Sequence, residues 1–262
     1  MELFLRLIIA HLLTDFVFQP KSWVKDREEK QGKSIKLYVH VLVTTLVAYL
    51  LSGSYDNWII PTVIFSSHLL IDYIKSKTGK DKFHYFIIDQ LAHVLVITAL
   101  CISLESQWQE LPAALNNLKI GQNALIWITG YLFVSWPLGI FIGKATQKWR
   151  DQISREKSMT PSRPPVLENS DELDNGEQEL GLASAGKWIG ICERVLILTF
   201  VLLSQFTAIG FLMTAKSILR FSEKETNTQL KTEYILVGTL VSFTLAALTG
   251  LLMRLFLQNG VL

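Results

Sequence analysis

Cysteine and charge are both scarce in this sequence of 262 residues. The two cysteines, Cys101 and Cys192, lie singly in apolar runs, which excludes a disulfide scaffold and a zinc site of the Cys-x2-Cys type. Charged residues make up only 18% of the chain and the formal net charge is +2, so the sequence lacks the basic surface of a nucleic-acid-binding protein. No glycine-rich phosphate-binding loop follows a strand-like segment. Nucleic acid is therefore not an expected partner.

Apolar residues are abundant instead. They make up 50% of the chain and the mean hydropathy is +0.32, whereas soluble domains carry about 25% charged residues. A membrane-spanning helix needs about 20 mostly apolar residues. The sequence therefore predicts an all-α fold, a polytopic membrane bundle of about seven transmembrane helices. The seven runs are Leu3–Phe18, Leu37–Leu51, Trp58–Ile74, Tyr85–Leu104, Ala124–Ile142, Trp188–Thr214 and Tyr234–Leu257.

The distribution of Lys and Arg predicts the orientation of these runs, because cytoplasmic loops are enriched in both. Loops rich in basic residues alternate with poor ones along the first five runs. This alternation predicts an N-terminus outside and a cytoplasmic C-terminus. The segment after the sixth run conflicts with it, because its basic residues, including Lys216 and Arg220, would lie outside.

Three domains follow from this pattern. Residues 1–144 form a five-span membrane domain that is rich in His and Asp, and 188–262 form a two-span segment. Between them, 145–187 would hold a short basic amphipathic helix and an acidic linker. The linker, Thr160–Ala185, contains prolines and six acids and is predicted to be disordered. It is a candidate contact for a cytosolic partner, and a homo-oligomer is a further option.

Histidine is confined to the first 93 residues, where three histidines stand four residues from an aspartate. Residues four apart lie on one face of a helix. At a rise of about 1.5 Å per residue, all these groups fall into one layer near the cytoplasmic ends of the first four spans. The pairs are His11 with Asp15, His68 with Asp72, and Asp89 with His93, and His40 lies on the second span. The fifth histidine, His84, is predicted to be an exposed loop residue.

The chemistry of these seven groups favours a metal site. An ionisable group in a bilayer costs about 2.5–3.5 kcal/mol and persists when it is paired or functional. The sequence offers these groups no obvious cationic partner within the spans. Imidazole and carboxylate together bind Zn²⁺, Mn²⁺ or Fe²⁺, and seven groups exceed the needs of one zinc ion. We therefore expect one or two divalent ions, Zn or Mn, while a proton relay or a structural polar network remain alternatives.

A second polar set lies later in the chain. Glu193 and Arg194 are predicted at the depth of the His/Asp layer, as a general acid or base and as a clamp for an anionic substrate. The alternative is a structural charge pair. Gln19, Lys216 and Arg220 are candidates for contact with a substrate or a lipid headgroup, and a solvated turn is the alternative for the last two.

Several motifs resemble the family catalogued as domain of unknown function 3307, which consists of bacterial multi-span membrane proteins. The resemblance is distributed over nearly the whole chain apart from the acidic linker. It implies a multi-pass protein of the bacterial cytoplasmic (inner) membrane and implies no activity. The N-terminal half also resembles, more loosely, bacterial inner-membrane metal-dependent hydrolases. The motifs of the first family are His11-Leu12-Leu13-Thr14-Asp15-Phe16-Val17-Phe18-Gln19, His40, His68-Leu69-Leu70-Ile71-Asp72, Asp89-Gln90-x2-His93, Gly186-x3-Gly190-x2-Glu193-Arg194, Lys216-Ser217-x2-Arg220-Phe221 and Glu233-Tyr234-x3-Gly238-Thr239.

Three functions fit the sequence. The first is an intramembrane metal-dependent hydrolase that acts on a lipid or a lipid-linked phosphate or ester, with membrane lipids as partners. The second is a metal-ion or proton transporter or channel, because intramembrane His and Asp mark such pathways. The outer parts of the second to fourth spans carry only hydroxyls as polar groups, which favours a site closed on one side. The third is a non-catalytic sensor or partner-binding module.

Overall fold

The structure, a computed structural model, describes residues 1–78, 82–104, 121–159, 172–221 and 229–259. These residues form helices joined by short turns and contain no strand, as the predicted all-α fold requires. The contacts divide the chain into two compact units, Met1–Phe133 and Val134–Val261, which are described separately. The predicted domains 1–144, 145–187 and 188–262 stay predictions.

The first unit is built on a bundle of four helices. Helix α1 packs against α3 and α5, and α4 completes the ring because it also packs against both. The bounds in this unit are α1 Glu2–Leu12, α2 Lys21–Lys30, α3 Ile35–Ser52, α4 Ile59–Thr78 and α5 Phe83–Leu104, and α6, Gln122–Ser135, runs up to the unit boundary.

One end of the bundle has an apolar core and the other end is polar. The apolar end, near Ser52 and Leu104, is filled by buried side chains such as Leu7, Ile60 and Ile97. Within a membrane these contacts stabilise the bundle through close packing, because lipid is as apolar as the core. We call the opposite end, where the polar side chains lie, the α2 end.

Helix α2 reaches the bundle through a sharp bend. Helix α1 continues as a π-helical turn, Leu13–Val17, in which the amide of Phe18 donates to the carbonyl of Leu13 at 2.8 Å. Pro20 follows and cannot continue the helix, because it lacks an amide hydrogen and restricts the residue before it. The segment Lys21–Lys33 therefore lies at 83° to Glu2–Val17. Arg27 is the buried residue of α2.

The second unit contains a helical hairpin. Helix α9 ends at Leu202, Ser204 has a φ of 60°, and α10 begins at Phe206. Lys216 pairs with Glu193, so α10 lies antiparallel to α9. Helix α11 runs parallel to α9. The bounds are α7 Pro137–Ala145, α8 Gln147–Met159, α9 Glu172–Leu202, α10 Phe206–Phe221 and α11 Gln229–Asn259.

Two contacts fix the direction of α11. Near the start of the apolar part of α9, Glu193 shares a small cavity with Ser242. Two turns later, a Cβ at Gly250 would lie 2.7 Å from Cγ1 of Val201. The backbones of α9 and α11 therefore approach closely where α11 carries a glycine.

Within the residues that the structure describes, four helical segments are long and apolar enough to cross a membrane, or five if the bent pair around Pro20 counts as one span. The prediction of seven spans is therefore not supported. Helix α4 is too polar, because it carries His68, Asp72 and two lysines, and the sixth run is broken at 203–205. The four segments are Ile35–Ser52, Phe83–Leu104, Gln122–Ala145 and Leu236–Gln258.

The acidic linker needs a correction as well. Residues 160–171 lie outside the described residues, but the backbone is helical from Glu172 onwards. The predicted disorder therefore does not hold for 172–185. Leu, Glu, Gln and Ala are frequent in this segment, and these residue types favour a helix.

Candidate metal centre

The seven imidazole and carboxylate groups predicted to share a layer lie together at the α2 end of the bundle. Four different elements supply them, and each side chain is almost completely buried. The imidazole rings of His68 and His93 have their centroids 4.3 Å apart, and those of His11 and His93 stack at 5.0 Å. Helix α1 and its π-helical turn supply His11 and Asp15, α3 supplies His40, α4 supplies His68 and Asp72, and α5 supplies Asp89 and His93.

Four of these groups supply ligand atoms whose separations, at five of the six pairs, suit metal ligands. His40 Nε2 and His68 Nε2 lie 3.0 Å apart. Asp15 Oδ1 lies 3.6 and 3.5 Å from these two nitrogens, and Asp72 Oδ2 lies 3.5 and 3.7 Å from them. Tetrahedral zinc has ligand bonds of about 2.0–2.1 Å, so its ligand atoms stand about 3.3 Å apart. We call these four residues the tetrahedral set.

The outer partners of two other histidines fix which ring nitrogen holds the hydrogen. His93 Nδ1 lies 2.8 Å from the backbone carbonyl of Asp89, which can only accept, so Nδ1 is the donor and Nε2 is left with a lone pair. Gln90 donates to Asp89 Oδ2 at 3.0 Å, and its oxygen therefore faces His11 Nε2 at 3.2 Å. Ligating histidines are held in this way by a second hydrogen bond.

Several polar atoms in this layer are buried without a hydrogen-bond partner. They include Asp15 Oδ1, Asp89 Oδ1 and His93 Nε2. Each of these atoms can accept a hydrogen bond or bind a metal ion. At least one other of the seven groups lies on the same helix or on a neighbouring helix. A buried polar atom without a partner costs about 1–3 kcal/mol, so this arrangement needs compensation. A divalent cation is the compensation that suits this donor set.

Two cations that the sequence analysis missed belong to this layer. Arg27 Nη1 bonds Asp72 Oδ2, and both residues are buried. Lys75 Nζ lies 2.5 Å from Asp89 Oδ2. Both cations lie outside the predicted runs, to which the expectation of no obvious cationic partner was limited. The bend at Pro20 brings Arg27 back to the bundle, and Lys75 lies one turn after Asp72 on α4, a spacing that could have revealed it.

The remaining candidate residues have different surroundings. Gln19 is half-buried, and its Nε2 is buried without a partner. Glu193 and Lys216 form a half-buried ion pair within the second unit, as a structural role would require. Arg220 lies in α10, but its side chain is outside the described part of the chain. His84 is exposed, as predicted, but it lies in the first turn of α5 and not in a loop.

Arg194 binds backbone carbonyls where a helix is interrupted. Its Nε donates to the carbonyl of Val134 at 2.6 Å and Nη2 to that of Ser135 at 3.0 Å. Pro137 interrupts the helix there, because it has no amide to donate to a carbonyl one turn back. Arg194 therefore compensates the broken helix. These bonds use two of the five N–H donors of Arg194 and give the residue a structural role at the break.

The comparisons with known proteins bear on the first unit. No curated protein and no solved structure matches the chain. Residues 3–119 match the model of a family described as "Protein of unknown function (DUF3307)". The match includes all seven groups of the buried layer together with Arg27 and Lys75, and it does not extend to Glu193 or Arg194. The chain is therefore similar to the DUF3307 family over residues 3–119, which is less than half of its length.

Proposed function

We propose that this chain is a multi-pass protein of the bacterial cytoplasmic membrane that holds a divalent metal ion at Asp15, His40, His68 and Asp72. We further propose that it hydrolyses a lipid or a lipid-linked phosphate or ester. The observation that carries the proposal is the spacing of the tetrahedral set, whose ligand atoms lie 3.0–3.7 Å from one another at the five separations described above. Asp15 Oδ1 supports it further, because this buried oxygen has no hydrogen-bond partner.

The donor chemistry fits zinc or manganese. Two imidazoles and two carboxylates suit either ion, and no thiolate is involved. When bound, such an ion supplies Lewis acidity, which lowers the pKa of a water molecule and polarises a phosphoryl or carbonyl oxygen.

The protein's own groups hold this site in position. Arg27 fixes the orientation of Asp72 by a charge-assisted hydrogen bond, and Lys75 does the same for Asp89. Gln90 connects Asp89 with His11 and sets the tautomer of that imidazole. The π-helical turn rotates Asp15 relative to a regular helix, and π-helical turns are frequent at functional sites.

The apolar end of the bundle favours an enzyme over a transporter. A transport pathway needs polar groups along its whole length, as intramembrane His and Asp chains provide. One to three turns beyond the histidines, the bundle is filled by Leu7, Ala48, Ile64 and Ile97. A site that is closed on one side by packed side chains suits catalysis better than transport.

A lipid-linked substrate fits the outer surface of the bundle. Leu42 and Leu46 on α3 and Leu91 and Leu95 on α5 are large and exposed. Such a surface is suited to contact with acyl chains. A substrate anchored in the bilayer would reach the α2 end by lateral diffusion.

The test is metal content and activity of the full chain in detergent. We expect about one equivalent or more of Zn or Mn by elemental analysis after purification, and loss of that ion in His68→Ala. His84→Ala is the matched control, because this exposed histidine lies outside the layer, and it should keep the ion. Hydrolysis of 4-nitrophenyl phosphate or 4-nitrophenyl butyrate should stop with chelator and return with added Zn²⁺ or Mn²⁺. Less than a tenth of an equivalent of metal in the wild type, even after equilibration with both ions, would overturn the proposal. Metal flux into proteoliposomes without hydrolysis would replace the enzyme by a transporter.

A further inference from the structure

The tetrahedral set leaves three buried groups of the same layer unused, His11, Asp89 and His93. Asp89 and His93 lie on α5, 4% and 3% exposed. His93 Nε2 carries a lone pair and has no partner, and neither has Asp89 Oδ1. Hydrogen bonding between helices therefore does not explain why these two polar atoms are buried.

These two groups form a second set with a residue that the first ion also uses. One ligand atom each from Asp72, Asp89 and His93 lies within 4.8 Å of the others. His40, His68 and Asp72 form another group of this kind. Asp72 is common to both, and a carboxylate has two oxygens with which it can bind two ions.

We propose that Asp72, Asp89 and His93 bind a second divalent ion, with Asp72 shared between the two positions, and that the substrate is a phosphate ester. This inference rests on the proposed function, because the first ion defines the shared role of Asp72. Carboxylate-bridged pairs of ions in hydrolases stand about 3.5–4 Å apart. His68 belongs to the first set and His93 to the second, and their ring centroids lie 4.3 Å apart. This distance agrees with two ions at neighbouring positions.

The charge of the filled site selects the phosphate ester over the carboxylic ester. Two divalent ions with Arg27 and Lys75 carry six positive charges, against three negative charges from the carboxylates of the layer. An excess of three positive charges in a buried site needs an anionic partner. A phosphate monoester supplies two negative charges, whereas a carboxylic ester supplies none. Two-ion sites are also suited to displacement at phosphorus, where they stabilise the attacking and the leaving oxygen.

The test counts ions per chain. Full-length protein in detergent is equilibrated with Mn²⁺, separated from free ion, and analysed for metal content and by electron paramagnetic resonance. We expect two ions per chain and the spectrum of a spin-coupled Mn pair, which arises only when two ions are neighbours. His93→Gln and Asp89→Asn should each leave one ion with an uncoupled spectrum. His84→Gln is the control and should keep the pair.

The outcomes separate the two proposals. One uncoupled ion in the wild type, retained in His93→Gln and lost in His40→Gln, would overturn the second site and leave the first. No bound ion would overturn both. If the variants fail to fold, the wild-type spectrum decides, because a coupled pair supports the proposal and two uncoupled ions contradict it. The substrate class is tested by the rates on 4-nitrophenyl phosphate and 4-nitrophenyl butyrate. We expect at least a tenfold preference for the phosphate, and a preference for the butyrate would overturn this part.

Discussion

Removal of Arg27 should destabilise the metal-free protein far more than removal of a neighbouring surface lysine. The side chains of Arg27 and Asp72 are 5% and 2% exposed, so Arg27→Met leaves a carboxylate buried without its cation. Breaking a buried pair in this way costs about 3–5 kcal/mol. Lys25→Met is the matched control on the same helix, because the side chain of Lys25 is 78% exposed and its contact with Glu29 is 3.8 Å long. An exposed pair of this kind contributes at most about 1 kcal/mol.

The assay is the free energy of unfolding of the full chain in mixed detergent micelles, measured in the presence of chelator. A double-mutant cycle isolates the pair itself. Asp72→Asn removes the charge that Arg27→Met leaves alone, so the double variant should be more stable than the sum of the single losses predicts, by about 1–3 kcal/mol. Losses that are equal in Arg27→Met and Lys25→Met, with no coupling in the cycle, would refute the reasoning that Arg27 is a buried partner of Asp72.

Two further predictions concern the second unit. Gly250→Ala should lower the free energy of unfolding by about 1–3 kcal/mol, because its Cβ would lie 2.7 Å from Cγ1 of Val201. Gly238→Ala on the same helix is the control, since its Cβ would meet nothing within 4 Å, and it should be neutral or stabilising. Equal melting temperatures for both variants would contradict the close approach of α9 and α11. Arg194→Met should cost about 2–4 kcal/mol, since it removes two hydrogen bonds to backbone carbonyls at the helix break, and it should leave the metal content unchanged. Loss of bound metal with unchanged stability would instead favour a role in the site.

The grouping of the seven polar side chains was accessible from the sequence because helix geometry is regular. Once an apolar helix is assumed, a spacing of four puts His68 and Asp72 on one face and the rise per residue gives their depth. Burial adds a second constraint, since polar groups in an apolar helix face a protein interior. Helix geometry and the burial of polar groups are therefore enough to predict that side chains from four helices lie in one layer.

Arg27 and the number of spans were not accessible in the same way. The position of Arg27 depends on the direction of the chain after Pro20, and α2 has no apolar periodicity that would indicate which face is buried. A hydropathy value averaged over a window of residues also conceals a turn that lies inside the window. The break at Ser204 is formed by residues that an apolar helix tolerates, so the run from Trp188 to Thr214 reads as one span.

Arg194 shows the limit of reading a charged residue by its depth alone. Its depth suggested an anionic ligand, but two of its five N–H donors bind the carbonyls of Val134 and Ser135. Sequence gives the position of Pro137 and therefore the existence of unpaired carbonyls nearby. It does not give the distance between those carbonyls and a guanidinium almost 60 residues later along the chain.

The hairpin of α9 and α10 determines the end of the second unit at which α10 finishes. A chain that turns back at Ser204 returns Lys216 to the end of the hairpin where Glu193 lies. Since α11 runs in the same direction as α9, its far end emerges on the opposite face, and a reporter fused after Gln258 would distinguish this arrangement from seven successive crossings.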